Sequence, residues 1–213
     1  MGDLTVRQLV TGQLETNTYL VWREGREDAF VVDPGDDLNV VERALKLSGK
    51  KLTDILLTHG HFDHILSAAP LAKAHGARIH IHPQDAHMLR NAGASLYQAM
   101  WCDMPFVSVE ADALYPDGDE DWTLDVCGVS FAGFRTAGHT KGSVCLLDAE
   151  HKVLFTGDTL FAYGCGRTDF PGGSEAEMGA SLSRLLKMDG ALTVYSGHGQ
   201  VDGMAAIARR WRR

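Results

Sequence analysis

The residues best suited to chemistry form one short cluster within residues 58–64, where three imidazoles and one carboxylate lie close together. Imidazole nitrogen and carboxylate oxygen both suit zinc and other divalent first-row metals. In extended backbone, residues i and i+2 project to the same side, so His59 and His61 can share one ion. Asp63 and His64, at the turn into a helix, can reach a second ion beside it. The spacing therefore predicts a metal site.

Three further candidate ligands are distributed along the rest of the chain. His139, Asp158 and His198 each follow a strand-like run and stand next to glycine or threonine. Small neighbours let loops approach one another closely, so these three side chains can converge on the cluster at 58–64. We therefore expect a binuclear site in which the ligands come from several strand ends.

Short strand-like and helical patterns alternate along the chain, which indicates an α/β fold. No linker is evident, so residues 1–213 are predicted to form one domain. Residues 91–121 are the least regular part, predicted as loops or a mobile cover in which Tyr97, Trp101 and Phe106 line a substrate entrance or pack as core. Strands are predicted over residues 4–10, 19–22, 29–32, 55–57, 78–82, 129–135, 144–147, 153–155 and 192–195, and helices over 38–47, 65–75, 83–90, 175–186 and 204–211.

The composition bounds the class of protein. The chain of 213 residues carries a formal net charge of -8, which argues against a nucleic-acid partner despite a basic run at the C-terminal end. No apolar stretch is long enough for a membrane span, and the first residues lack the regions of a signal peptide. The four cysteines form no CxxC pair and are interpreted as reduced thiols, so a cytoplasmic location is expected.

The order His-x-His-x-Asp-His, followed by His139, Asp158 and His198, resembles the metallo-β-lactamase-fold hydrolase superfamily over nearly the whole chain. The resemblance implies an αβ/βα four-layer sandwich, with two mixed sheets flanked by helices and the site at one edge. It also implies two divalent ions, zinc first, with iron and manganese as alternatives. By resemblance the first ion is bound by His59, His61 and His139, the second by Asp63, His64 and His198, and Asp158 bridges both.

Residues 157–161 and 164–170 are similar to the short glyoxalase II-like branch, the hydroxyacylglutathione hydrolases and their bacterial relatives. Aspartate at the bridging position argues against a true β-lactamase. The resemblance implies a thioesterase of the lactoylglutathione type acting on a small molecule, although the C-terminal helical domain of full-length glyoxalase II is not found in the sequence. A persulfide dioxygenase with one iron, a lactone or phosphodiester hydrolase, and a non-catalytic metal-binding module stay open, as does the oligomeric state.

The predicted chemistry is attack by a hydroxide shared between two ions, with Asp158 and Asp63 as catalytic residues. A thioester fits because a thiolate leaves without a strong general acid. Five further residues outside the seven candidate ligands are given roles from their positions in the sequence. Asp33 is predicted to orient a ligand histidine or to end its strand. Arg167 and Lys141 are predicted to anchor a substrate carboxylate or to form ordinary ion pairs. His80 and His82 are predicted to face solvent.

Overall fold

Two mixed sheets form the centre of the protein, seen in a computed structural model that describes residues 2–98, 102–118 and 120–212. The first sheet pairs antiparallel across its first three strands and parallel across the rest. Its strands lie in chain order across the sheet. They are β1 (Leu4–Thr11), β2 (Thr16–Arg23), β3 (Asp28–Val32), β4 (Lys51–Leu56), β5 (Arg78–Ile81) and β6 (Ala113–Leu114).

The second sheet also keeps the chain order of its strands. Only the pair formed by its fourth and fifth strands is parallel, and the other pairs are antiparallel. The strands are β7 (Trp122–Val126), β8 (Val129–Arg135), β9 (Val144–Asp148), β10 (Val153–Gly157), β11 (Thr193–Ser196) and β12 (Asp202–Gly203).

Helices cover the outer face of each sheet. Those on the first sheet are α1 (Leu38–Ser48), α2 (Phe62–Ile65) and α3 (Ala68–His75), and those on the second are α4 (Glu175–Leu185) and α5 (Met204–Trp211). A short 3₁₀ helix spans Ala86–Leu89. None of the helices in the described part of the chain has the length and apolar character needed to cross a bilayer.

The central strands are buried on both faces, and their sequences are therefore continuous apolar runs. Within β3, Val31 packs beneath α1 while Phe30 points between the sheets. There the ring of Phe30 meets Phe131 of the other sheet edge-on, with centroids 5.7 Å apart. On the far side, Leu154 of β10 packs under α4 and α5. The four layers predicted from the sequence are confirmed.

Two predicted helices differ from the structure. The helix expected over 65–75 is interrupted, and α3 begins afresh at Ala68, because Pro70 has no N–H to continue a helix from α2 but fits a first turn. The helix expected from Pro83 is only the 3₁₀ turn, because the carboxylate of Asp85 turns inward to bind two neighbouring loops. Strand β7 was not predicted, since its side chains alternate between exposed and half-buried.

In the irregular stretch, the ring of Tyr97 packs between Phe62 and Phe106, with centroid distances of 6.2 and 5.8 Å. Trp101 lies outside the described residues. The two histidines expected to face solvent are buried, which corrects the prediction. His80 Nε2 lies 2.8 Å from Asp54 Oδ1 on the neighbouring strand, and His82 is fully covered.

Candidate metal centre

Strand direction explains why the predicted ligands converge. Strands β8, β10 and β11 run the same way, so the residues that follow them meet at one edge of the second sheet. The loop after β4 reaches the same edge from the first sheet, where Val144 N–H donates to the Thr58 carbonyl over 2.9 Å. All seven predicted ligands lie at this edge. They are His59, His61, Asp63, His64, His139, Asp158 and His198.

Three imidazoles form the first group. One nitrogen from each of His59, His61 and His139 lies within 4.8 Å of the others, and all three side chains are buried. His61 Nδ1 and His139 Nε2 are 2.8 Å apart. The other ring nitrogen of His139 lies 2.7 Å from the Arg167 carbonyl, which fixes that ring. Three imidazole nitrogens that converge on one point are a common first-row metal site.

The second group combines a carboxylate with two imidazoles. Asp63 Oδ2 lies 3.3 Å from His64 Nε2 and 3.3 Å from His198 Nε2. The other nitrogen of His198 lies 3.1 Å from the Leu14 carbonyl at the tip of the β1–β2 hairpin. The backbone of His198 also pairs with Thr16 in a single antiparallel bridge. The hairpin therefore fixes the position of His198.

Asp158 lies between the two groups and is almost fully buried. Its Oδ2 is 3.5 Å from His139 Nε2 and 3.4 Å from His198 Nε2, and its Oδ1 is 3.5 Å from His64 Nε2. Gly197 allows this approach, since a Cβ at that residue would collide with Asp158 Oδ1. One carboxylate thus contacts a member of each group.

Buried polar atoms without hydrogen-bond partners test whether metal ions suit this site. Among the described residues they include His59 Nε2, His64 Nε2 and Asp158 Oδ1, which all point into the centre. Buried polar atoms are almost always paired, and a bound ion would pair these three. Imidazole and carboxylate donors are those that zinc, iron and manganese accept. The residues present fit divalent ions.

The charges of the site agree with this fit. Burial lowers the pKa of His61 to about 3, helped by neighbouring His139, so its imidazole is neutral and can donate a lone pair. Burial alone would lower the pKa of His64, but the carboxylates of Asp63 and Asp158 outweigh it and the net shift is upward. Burial would lower the pKa of His198 as well, but its hydrogen bonds with Asp158 and Asp63 outweigh burial and raise that pKa to about 9. The carboxylates thus require positive charge beside them.

Asp33, predicted to orient a histidine, lies 3.1 Å from His64 Nδ1 through its Oδ2. The same oxygen accepts the Thr58 hydroxyl over 2.6 Å, and Oδ1 accepts the Thr58 N–H over 2.8 Å. Because both oxygens are occupied, Asp33 is placed to hold His64 and the loop rather than an ion. Its backbone has φ of +48°, an unfavourable conformation for a non-glycine residue that brings the carboxylate under the loop.

A cavity of about 550 Å³ opens above the two groups, a volume in the range of small-molecule sites. Arg167 lines its mouth, and Gln98 lines it from the irregular stretch. Lys141 lies on the exposed loop after His139, outside the residues that line the cavity, and its role as an anchor stays a prediction. The walls are mainly apolar, formed by Leu14, Phe62, Leu96, Phe161 and Phe170.

The family model described as the metallo-β-lactamase superfamily matches residues 11–198. This chain belongs to that superfamily. Its members include metal-dependent hydrolases, and the matched region contains every side chain of both groups. The family-model match confirms the resemblance drawn from the His-x-His-x-Asp-His order.

Several curated relatives of this superfamily member are similar over most of the chain. An uncharacterised protein of Mycobacterium leprae (strain TN) is 35% identical, with 93% of each chain covered. The hydroxyacylglutathione hydrolase GloC of Haemophilus influenzae is 31% identical, covering 87% of this chain and 86% of that protein. The hydroxyacylglutathione hydrolase of Ectopseudomonas mendocina is 38% identical over 79% of this chain but only 55% of that protein.

Solved structures of the superfamily share the fold. The B3 metallo-β-lactamase BLEG-1 has a TM-score of 0.85 and 29% identity, with 95% of each chain covered. TTHA1623 in a di-iron-bound form has a TM-score of 0.82 and 32% identity, covering 96% of this chain and 98% of that one. ETHE1 from Myxococcus xanthus has a TM-score of 0.71 and 28% identity, covering 94% and 80%.

Two buried residues at the site were not predicted from the sequence. Thr16 donates its hydroxyl to Asp63 Oδ2 over 2.9 Å. Asp85 accepts hydrogen bonds from the loops on both sides of the first group, at Gly60 N–H, Thr140 Oγ1 and Gly142 N–H. Neither residue has a local motif, because both act on partners far away along the chain. Only the proximity of the loops reveals their roles.

We expect Thr16→Val to weaken binding of the second divalent ion by about tenfold, because residues that orient a ligand are worth 10–100-fold in metal affinity. Valine keeps the shape of threonine but removes the hydroxyl that holds the Asp63 carboxylate. The measurement is competition with a fluorescent zinc chelator. Thr53→Val is the matched control, since that hydroxyl is distant from the site, at 3.4 Å from the Ala29 carbonyl. Equal affinities for both variants and the parent would contradict the assigned role.

Proposed function

We propose that this chain is a metal-dependent thioester hydrolase of the hydroxyacylglutathione hydrolase type, working with two divalent ions, zinc first. The observation that carries the proposal is the position of Asp158. Its carboxylate contacts a histidine of each group at the floor of a cavity large enough for a small molecule. A residue in that position can serve two adjacent ions at once, which a single-ion site does not need.

Each of the two groups of side chains would hold one ion. His59, His61 and His139 would hold one ion, and Asp63, His64 and His198 the other. Asp158 would contribute an oxygen to each. When bound, a pair of such ions supplies Lewis acidity to a carbonyl and a nucleophile at neutral pH.

The protein's own side chains place the substrate and exclude water. The acyl carbonyl would lie at the floor of the cavity beside Asp158, and the acyl chain would pack against Phe161 and Phe170, which line the cavity. A departing thiolate has a conjugate pKa near ~8.5, so it leaves without a protonated side chain to assist it. Among the described lining residues other than the seven predicted ligands, only Gln98 and Arg167 have polar side chains, and neither is a general acid at neutral pH. Such a cavity suits a thioester better than an amide.

The named relatives support the same choice. Two of them, from Haemophilus influenzae and Ectopseudomonas mendocina, are hydroxyacylglutathione hydrolases, and the first matches most of both chains. BLEG-1 is a B3 metallo-β-lactamase of similar fold, so a β-lactam belongs among the substrates to be tested.

A second candidate is a one-iron persulfide dioxygenase, favoured by the similarity to ETHE1 and by residues 164–170. The first group with Asp158 would be sufficient for one iron. This alternative leaves the group of Asp63, His64 and His198 without a ligand, which is why we place it second.

The test combines metal content with turnover of the purified protein. We expect about two ions per chain and hydrolysis of S-lactoylglutathione, measured by loss of thioester absorbance. A chromogenic cephalosporin, a lactone and a phosphodiester are the comparison substrates. One iron per chain, oxygen uptake on glutathione persulfide and no thioester hydrolysis would instead establish the dioxygenase. Preferred turnover of the cephalosporin, the lactone or the phosphodiester would likewise overturn the thioesterase proposal.

A further inference from the structure

A turn beside the cavity places a leucine in the left-handed region of the backbone. Leu96 has φ of +64° and is one of the residues that line the cavity. Its N–H donates to the Gly93 carbonyl over 3.2 Å, and Tyr97 N–H donates to the Ala92 carbonyl over 2.9 Å. These two hydrogen bonds form the Schellman motif, in which the left-handed residue is usually glycine.

Two helix ends of the same chain have glycine at this place. Gly49 after α1 and Gly76 after α3 have φ of +67° and +69°, close to the value at Leu96. In this conformation a Cβ crowds a backbone carbonyl oxygen, so leucine is unfavourable where glycine is tolerated. Strained residues of this kind are concentrated at ligand sites. Because glycine would suit the turn better, the leucine side chain points to a role in the cavity.

The turn is fixed against the loop that carries the predicted ligands, so Leu96 is held in place. The Ser95 carbonyl accepts the N–H of Phe62, which stands between two of those ligands, over 2.9 Å. On the other side of Leu96, the Tyr97 ring packs against Phe62 with centroids 6.2 Å apart. The Tyr97 hydroxyl also donates to the Met104 carbonyl over 3.2 Å. Leu96 therefore reaches the cavity near the level of the ligands rather than at the mouth.

The acyl end of a bound thioester would lie at this level. A carrier as large as glutathione would extend through the open mouth, where Arg167 lies. Phe161 and Phe170 belong to the segment after β10 of the second sheet, whereas Leu96 belongs to the segment after β5 of the first. The acyl group would therefore meet aromatic rings from one sheet's loops and Leu96 from the other's.

We infer that Leu96 is a specificity-determining residue that admits short acyl groups such as lactoyl and excludes medium linear chains such as hexanoyl. The inference rests on the proposed function, since it defines the acyl range of that same site. A longer chain would have to displace a side chain that the contacts of Ser95 and Tyr97 hold in place. When the carrier is glutathione throughout, its attraction to bound ions and to Arg167 is constant, and only the space required by the acyl group changes.

Binding of S-alkylglutathiones to the zinc-loaded protein measures this limit without turnover, because the alkyl group takes the place of the acyl group and is not hydrolysed. By calorimetry, we expect the parent to bind S-hexylglutathione less than about tenfold tighter than S-propylglutathione, although three more methylenes would give about 60-fold if all were buried. Leu96→Ala should raise this affinity ratio by about tenfold, since it makes room for roughly two methylenes. The ratio of kcat/KM for S-hexanoylglutathione over S-lactoylglutathione should rise by a similar factor.

Two further variants separate the space from the backbone. Lys152→Ala is the matched control, because Lys152 also has a positive φ, +59°, but is exposed in the turn between β9 and β10 and does not line the cavity. It should change neither affinity. Leu96→Gly should show the same ratio as Leu96→Ala and unfold at a higher urea concentration, since glycine relieves the backbone. A change of ratio in Leu96→Gly alone would indicate a looser turn and overturn the assignment to the side chain.

The outcomes separate this inference from the proposed function. A raised affinity ratio in Leu96→Ala without any thioester hydrolysis by the parent would support the limit set by Leu96 and reject the thioesterase. Hydrolysis of S-lactoylglutathione with an unchanged ratio in Leu96→Ala would support the thioesterase and overturn the inference. A parent that binds S-hexylglutathione about tenfold or more tighter than S-propylglutathione would also overturn it, because the cavity would already hold most of the chain.

Discussion

Asp158→Asn is expected to lower thioester turnover by about 10³-fold and to reduce the bound metal from about two ions per chain to one. The carboxylate contacts His139 and His198 through one oxygen and His64 through the other. Asparagine replaces one oxygen with an NH₂ group that cannot bind an ion and removes the negative charge. Charge stabilisation by a metal is worth several kcal/mol, and each 1.4 kcal/mol is a factor of ten in rate.

The matched control for this substitution is Asp148→Asn. Asp148 is also a buried aspartate, but it lies at the end of β9 and accepts the N–H groups of Glu150 and His151. The control should retain two ions and nearly all turnover. Metal content is measured by elemental analysis of the purified proteins and turnover with S-lactoylglutathione. Full metal content with near-parent turnover in Asp158→Asn would remove the basis of the binuclear proposal.

Asp85→Ala is expected to destabilise the metal-free protein by about 3–5 kcal/mol, the range for leaving several buried donors without an acceptor. The carboxylate is fully buried and accepts from Gly60 N–H at 3.1 Å, Thr140 Oγ1 at 2.6 Å and Gly142 N–H at 2.9 Å. These partners belong to the two loops that carry the first group of histidines. Losing the acceptor therefore weakens the fold at the place where those loops are joined.

The free energy of unfolding is measured by urea denaturation of the metal-free parent and variant proteins. Asp85→Asn should recover part of the loss, because one amide oxygen can still accept. Asp112→Ala is the control: that carboxylate is exposed and accepts one hydrogen bond, from Ile79 N–H at 2.8 Å, so about 1 kcal/mol is expected. If the free energy of unfolding of Asp85→Ala lies within about 1 kcal/mol of the parent value, the two loops are held by other contacts.

Much of the fold was predictable from local patterns. The strands buried on both faces appear as short apolar runs, and α5 (Met204–Trp211) has the bounds that its helical spacing indicates. The half-exposed strand β7 was missed, since it is defined by pairing with β8 rather than by its own pattern. The break ahead of Pro70 was also missed, although the missing N–H of Pro70 marks it in the sequence; Ser67 there bonds to the carbonyls of Pro34 and Gly35.

The sequence by itself determined which side chains are candidates for metal chemistry, because donor type and local spacing are properties of the chain. His59, His61, Asp63 and His64 are neighbours in the sequence and stay neighbours in the fold. The resemblance implied how those donors divide into two groups with Asp158 between them, and the tertiary structure brings His139, Asp158 and His198 to the other four. The tertiary structure also supplied partners from distant segments, such as Asp54 for His80. A side chain's charge, burial and hydrogen-bond partners depend on which strand ends meet, and the fold sets that.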